Sequence, residues 1–318
     1  MRRYLAFGFV VAYIAAAIWL VLNIETPREI SSVSWSQYLL LIIVAAMMSG
    51  LWAAILKISC KAFQCNLTLI EAFGLTSANS LLNLLPLRLG TGFKALYLVG
   101  FRGMSIAEFT SVTGVAVSIA LVTFGIGGGL ALGYFSLFER SWGFAVFGLG
   151  MAYLGITVLG TALLLTAPLV SRIRFPFGLQ RFITPVAISV ARLTGNRGLI
   201  ANMVGIGLAS VVVIGLRMWL IADAVGYDIS FPGAVLLGTA GWVLTVVNVV
   251  PGAIGIREAA ISGTFVAIGG GFEAGLVIAV IDRVVLLVRD LIFGGAWLVG
   301  ARRILANSIR HKDSVTSN

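Results

Sequence analysis

The chain is short of charge. Only 11% of its 318 residues are Asp, Glu, Lys or Arg, against about a quarter in a soluble domain. A water-facing surface for a body this size cannot be assembled from so few, which excludes an ordinary soluble enzyme and a disordered chain. Cysteine and histidine are scarcer still: Cys60, Cys65 and His311 are all there is. Three such residues cannot build a disulfide scaffold, a zinc or haem site, or a Cys/His nucleophile pair. The cysteines read as two reduced thiols near a membrane surface. Acidic clusters and long hydrophilic loops are also missing, and these are what metal-assisted or general-base chemistry would need. No catalytic set, metal or cofactor is expected.

What is present is apolar. Hydrophobic types make up 59% of the chain and the mean hydropathy is +1.05. The apolar residues come in long runs without period-two alternation, so a transmembrane β-barrel is excluded and an all-α polytopic membrane protein is expected. The net charge of +10 does not point to nucleic acid. Its positives are scattered through short loops between apolar runs, as the positive-inside bias places them.

Six runs are long enough to cross a bilayer: 4–22, 37–57, 106–135, 142–168, 199–224 and 274–300. The first is too long for a signal-peptide core. Two further apolar segments are interrupted. Segment 68–100 contains Asn83, Pro86, Arg88, Gly90 and Lys94, and segment 232–268 contains Asn248, Pro251, Gly252, Gly255, Arg257 and Glu258. Pro removes a helical hydrogen bond and Gly loosens the backbone. Inside a bilayer such a break survives only where protein or water surrounds it. Both segments are therefore expected to be re-entrant hairpins, with Pro86, Gly90, Pro251, Gly252 and Gly255 making the breaks. Six spans plus two hairpins put Lys57, Lys61, Arg102, the basic stretch 172–197 and the C-terminal cations in the cytoplasm. Arg28 and Arg140 fall outside, near Glu25, Glu29 and Glu139. Both termini are then cytoplasmic, in the cell (inner) membrane.

The two interruptions share a pattern. Asn83-Leu-Leu-Pro86-Leu-Arg-Leu-Gly90 and Asn248-Val-Val-Pro251-Gly-Ala-Ile-Gly255 both read N-x-x-P-x-x-x-G, 165 residues apart. On this topology the first hairpin enters from the cytoplasm and the second from outside, which makes the halves inverted repeats. The single transmembrane domain 1–318 divides accordingly. Residues 1–36 are a first helix and outer loop, 37–168 the first half, 169–198 a basic interfacial linker, 199–300 the second half and 301–318 a cytoplasmic tail. The linker is expected to contain an amphipathic helix. Gly125-Ile-Gly-Gly-Gly129 and Gly148-Leu-Gly150 mark close helix packing.

Charged residues at membrane depth are costly unless paired or facing a wet cavity. The last span carries Asp282, Arg283, Arg289 and Asp290. Asp282 and Arg289 share a helix face, as do Arg283 and Asp290, but seven residues rise about 10 Å, too far for direct pairing. Partners are expected on other elements, with Arg257, Glu258, Arg88 and Lys94 the candidates. With Arg217 and Asp223 added, six cations (88, 94, 217, 257, 283, 289) face four anions (223, 258, 282, 290), leaving two positives over. Three readings stay open: an ion-pair lattice that fixes helix packing, a cationic cavity for a phosphate-bearing ligand, and a proton relay through Glu258 or Asp282. The candidate binding set is Asn83, Arg88, Lys94, Asn248, Arg257, Glu258, Asp282, Arg283 and Arg289. Half-helix N-termini at the breaks would add positive dipole ends.

At Pro86-Leu-Arg88-Leu-Gly90 and Val250-Pro251-Gly252-Ala-Ile-Gly255-Ile-Arg257-Glu258-Ala-Ala the chain resembles the lysylphosphatidylglycerol synthase transmembrane-region family, whose members are also described as flippase-like. The similarity runs over roughly 38–300. The second motif is close to the family's Pro-Gly-Gly-x-Gly-x-x-Glu, with Ala253 replacing a glycine, and Arg283 also matches. The first departs: Thr91 stands where the family carries an acid, and Lys94 where it carries an arginine. The resemblance implies translocation of an anionic phospholipid, an aminoacylated phospholipid or a polyprenyl-phosphate-linked lipid between leaflets. A homo-oligomer or a lipid-synthesising enzyme is the protein partner it suggests. Ion-coupled transport of a soluble anion, a lipid-modifying membrane enzyme and a scaffold are the alternatives. Only a few residues follow Arg303, so the soluble aminoacyltransferase domain of the best-known members, and its activity, are not expected here.

Overall fold

The computed structural model describes residues 33–85, 89–138, 144–170, 180–246 and 255–316. The expected first helix at 4–22, both prolines of the repeated motif, Arg88, Asn248 and Gly252 lie outside them. Ten α-helices follow in chain order among the described residues: α1 (Trp35–Lys61), α2 (Leu69–Leu82), α3 (Leu89–Ala95), α4 (Ile106–Phe138), α5 (Phe144–Val170), α6 (Gln180–Thr194), α7 (Arg197–Ala224), α8 (Phe231–Val246), α9 (Ile256–Ala267) and α10 (Phe272–Thr316). A π-helical turn, Leu96–Phe101, continues α3.

The helix starts have local causes. Ser34 and Gln37 form a reciprocal capping box at α1, and Thr68 and Glu71 do the same at α2. The Asn196 side chain accepts from the Leu199 N–H at 3.0 Å to open α7. Four helices are long and apolar enough to cross a membrane: α1, α4, α5 (over Val146–Thr166) and α7. They coincide with four of the expected spans. Helix α10 contains the expected span 274–300 and, with no Gly or Pro after Gly300, stays helical to Thr316. It differs from the other four in carrying four charged residues between positions 282 and 290.

The interrupted segments are pairs of short helices. Helix α2 has 14 residues, α8 has 16 and α9 has 12. At 1.5 Å per residue each falls short of the ~30 Å hydrocarbon core. Each pair packs on itself, α2 against α3 and α8 against α9. Gly90 makes the first pairing close, because a Cβ there would sit 2.0 Å from the Asn79 carbonyl oxygen of α2.

The halves repeat. From Trp35 to Arg197 is 162 residues, from Leu69 to Phe231 162, from Leu89 to Ile256 167, and from Ile106 to Phe272 166. The contacts repeat as well: α1 packs on its counterpart α7, and the broken segment of each half packs on the long helix of the other, α2 on α10 and α8 on α4. One apolar cluster gathers around the first broken segment (Cys60, Leu75, Leu98, Ile119) and another around the second (Met218, Leu237, Ile261, Ile278). A third joins the long helices through Phe124, Val211, Ile214 and Leu236. Gly125 and Gly128 let α4 approach Thr157 and Tyr153 of α5, as the glycine cluster suggests. Helix α6 is the most one-sided of the described helices and packs on α4, α5 and α7. Cys60 and Cys65 are free and buried. Burial pushes the thiol of Cys65, in the α1–α2 connection, up from its ordinary value.

A central cationic cavity

A cavity of about 760 Å³ lies where the two halves meet. Helices α1, α2, α3, α4, α7, α8, α9 and α10 all contribute to its wall. Its charged lining among the described residues is Lys94, Arg217, Arg257 and Arg289, with no carboxylate. Ser49, Thr76, Asn79, Ser80, Thr91 and Thr113 add hydroxyls and an amide. The Thr113 hydroxyl oxygen is buried without a hydrogen-bond partner among the described residues.

The carboxylates stand behind the cations. Asp282, fully buried, takes two guanidinium groups: Arg217 Nε lies 2.7 Å from Oδ1, and Arg257 Nη2 donates to Oδ2. Arg217 is 2% exposed and Arg257 11%. Arg289 donates to Asp290 Oδ1 through Nε at 2.9 Å and Nη2 at 2.6 Å, and through Nη1 to the Ala45 carbonyl at 3.2 Å. Lys94 has no carboxylate within ion-pair reach among the described residues. Two carboxylates against four cations leave two positive charges at the cavity.

The partners of Asp282 and Arg283 sit on other helices, as the spacing along α10 requires: Arg283 Nε donates to Glu258 Oε1 at 2.8 Å. Arg289 does not follow that expectation. Its carboxylate is the next residue, because a long guanidinium can fold back onto a neighbouring side chain that helix geometry otherwise turns away. Asp223 is not among the described residues that line the cavity. It lies exposed, one residue before the end of α7. Its removal from the tally is matched by Arg88, which lies outside the described residues, so the surplus of two stands on different residues.

The other candidates divide. Lys94, Arg257 and Arg289 line the cavity. Asp282 supports them. Glu258 and Arg283 pair with each other at the start of α9, where Glu258 Oε2 also accepts from the Gly255 N–H at 2.8 Å. Gly255 has φ +81°, a left-handed conformation suited to glycine, and begins α9. Asn83 ends α2, and its side-chain oxygen accepts from the Thr91 N–H at 3.3 Å, tying the two arms of the first break together.

Sequence reasoning missed the aromatic part of the lining. Trp52 of α1 and Trp242 of α8 line the cavity with Phe124 of α4 beside them. The Phe124 and Trp242 rings stack at 4.3 Å and 7°, and Trp52 is parallel to both within 6°. No motif or spacing in the sequence marks these aromatic positions.

No curated protein and no solved structure matches the chain. The family model described as "Lysylphosphatidylglycerol synthase TM region" matches residues 5–294. That span covers most of the sequence and includes both broken segments and the charged part of α10, so the chain belongs to the lysylphosphatidylglycerol synthase transmembrane-region family.

Proposed function

We propose that the chain moves a phosphate-bearing lipid headgroup between membrane leaflets, making and breaking no bond. The observation that carries this reading is the cavity between the halves, with four cationic side chains in its wall and no carboxylate among the described residues. A buried surplus of positive charge is expensive in lipid unless an anion or water meets it. A phosphate headgroup supplies that anion while its chains remain in hydrocarbon. The family's connection with a phospholipid synthase supports the same class of cargo.

In this reading the broken segments α2–α3 and α8–α9 are re-entrant hairpins entering from opposite faces. Three crossings by α1, α4 and α5 separate the repeats, so the second half is inverted relative to the first, in a cell membrane with both termini cytoplasmic. Access alternates as one broken segment and then the other opens the cavity. The exchange of partners between halves, α2 with α10 and α8 with α4, gives the two openings equivalent mechanics.

The test is reconstitution. Purified protein in phospholipid vesicles with a trace of acyl-chain-labelled anionic phospholipid should expose inner-leaflet label to an impermeant quencher. Arg257→Gln should slow this exposure. Label that stays protected at the rate of protein-free vesicles would refute the reading. Uptake of a soluble anion without lipid movement would replace it with a solute transporter.

A further inference from the structure

Resting on the cargo reading above, we infer that this cavity selects a dianionic phosphoryl group, a phosphate monoester or a diphosphate, over singly charged, zwitterionic or cationic headgroups. The argument is charge balance within one wall. Lys94, Arg217, Arg257 and Arg289 reach the cavity, and Asp282 and Asp290 are the carboxylates that meet them. Among the described residues the surplus is two unit charges. A phosphodiester such as phosphatidylglycerol cancels one of them and leaves the other buried. A monoester, with its second ionisation near pH 6, carries about −1.5 to −2 at neutral pH and cancels both.

The distribution of the surplus matters as much as its size. Asp282 is shared between two guanidiniums, so Arg217 and Arg257 together hold one uncompensated charge. Lys94, on α3, holds the other. A group with oxygens on more than one side can bridge them, which a single buried carboxylate cannot. The described lining has no anion to pair with a positive headgroup. An ammonium would need a carboxylate there, and the described lining offers none; Thr91, one of its hydroxyls, cannot supply that charge. The apolar remainder of the wall, with the Trp52 and Trp242 rings, leaves the phosphoryl group as the part that the charged side recognises.

Binding tests this apart from transport. Full-length protein in neutral detergent is titrated with dioleoyl phosphatidate, dioleoyl phosphatidylglycerol and dioleoyl lysylphosphatidylglycerol, and binding is read by tryptophan fluorescence. At pH 8 phosphatidate should bind on the order of tenfold more tightly than phosphatidylglycerol, the lysyl lipid being weakest. The advantage should shrink as pH falls through about 6, where the monoester loses its second charge. Lys94→Gln should remove most of the preference. Equal affinity for phosphatidate and phosphatidylglycerol at pH 8, tightest binding of the lysyl lipid, or an unaltered preference in Lys94→Gln would overturn the inference. Glycerol 3-phosphate, added as competitor, separates the sources. Weak competition assigns the dianion to a lipid. Competition as strong as that of phosphatidate supports the dianionic chemistry and moves it to a soluble organophosphate, which overturns the lipid reading instead. Failed transport leaves the binding order intact, and headgroup-blind binding refutes the inference even if lipid moves.

Discussion

Arg217 Nε lies 2.7 Å from Asp282 Oδ1, and the two side chains are 2% and 0% exposed. Arg257 takes the other oxygen of the same carboxylate. One acid from the last helix thereby anchors cations from α7 and α9 at the wall of the cavity. The same ion pairs join helices and line the cavity, so two of the three readings left open by the sequence, the lattice and the cationic cavity, are not alternatives.

Asp282→Asn should be severely destabilising. It leaves two guanidiniums without their carboxylate, and breaking a buried pair this way costs about 3–5 kcal/mol. Arg257→Gln should cost less, because Arg217 keeps its partner and Arg257 reaches the cavity. The thermal-unfolding midpoints of purified protein rank the two. Equal midpoints would mean that Asp282 does not hold the lattice.

Lys94 is the opposite case. It adds a charge to the cavity and no ion pair to the fold among the described residues. Lys94→Met should leave the unfolding midpoint unchanged or raise it, since a cation at membrane depth costs about 2.5–3.5 kcal/mol on insertion scales. The same variant should weaken binding of phosphatidate. A large drop in the midpoint would show that Lys94 holds the fold together, and would remove it from the binding surface.

The sequence made the helical framework legible because hydrophobic length and broken runs are local signals. The ends of α2, α3 with its π-helical turn, α8 and α9 fall within a few residues of the interrupted segments. That Asp282 and Arg283 find partners on other helices followed from a spacing on α10 that forbids pairing between Asp282 and Arg289 or between Arg283 and Asp290; which residues those partners are did not, and Arg217 was not among the candidates for Asp282. Arg289 with Asp290 did not follow, because adjacent helical residues point apart until a long side chain turns back. The ring stack was hidden for a different reason. Trp52, Phe124 and Trp242 sit in apolar runs where an aromatic is unremarkable, and only the docking of α1, α4 and α8 makes their planes parallel.

Gly90→Ala should disrupt the first broken segment. The added Cβ meets a backbone oxygen, Asn79 O, at 2.0 Å and the Asn83 side-chain oxygen at 2.7 Å. Backbone cannot rotate aside as a side chain can, and overpacking of this kind costs about 1–3 kcal/mol. Gly92→Ala is the control, since nothing lies within 4 Å of its Cβ. Thermal unfolding should separate them, with Gly92→Ala close to the parent or slightly more stable, because alanine favours helix over glycine by about 1 kcal/mol. Matching losses in both would mean that α3 does not approach α2 as closely as described.

The ring stack gives the cavity its own optical reporter. The chain has seven tryptophans, and Trp52 and Trp242 are in the cavity wall. A phosphoryl group drawn to Lys94, Arg217 and Arg257 changes the field at those two indoles more than at rings outside the wall. Trp52→Phe combined with Trp242→Phe should therefore abolish most of the fluorescence change on adding phosphatidate. The replacement rings conserve the stacking faces, so the fold should survive, and the unfolding midpoint checks this directly. A full-sized change in the double variant would place the responding tryptophan elsewhere, and with it the lipid site.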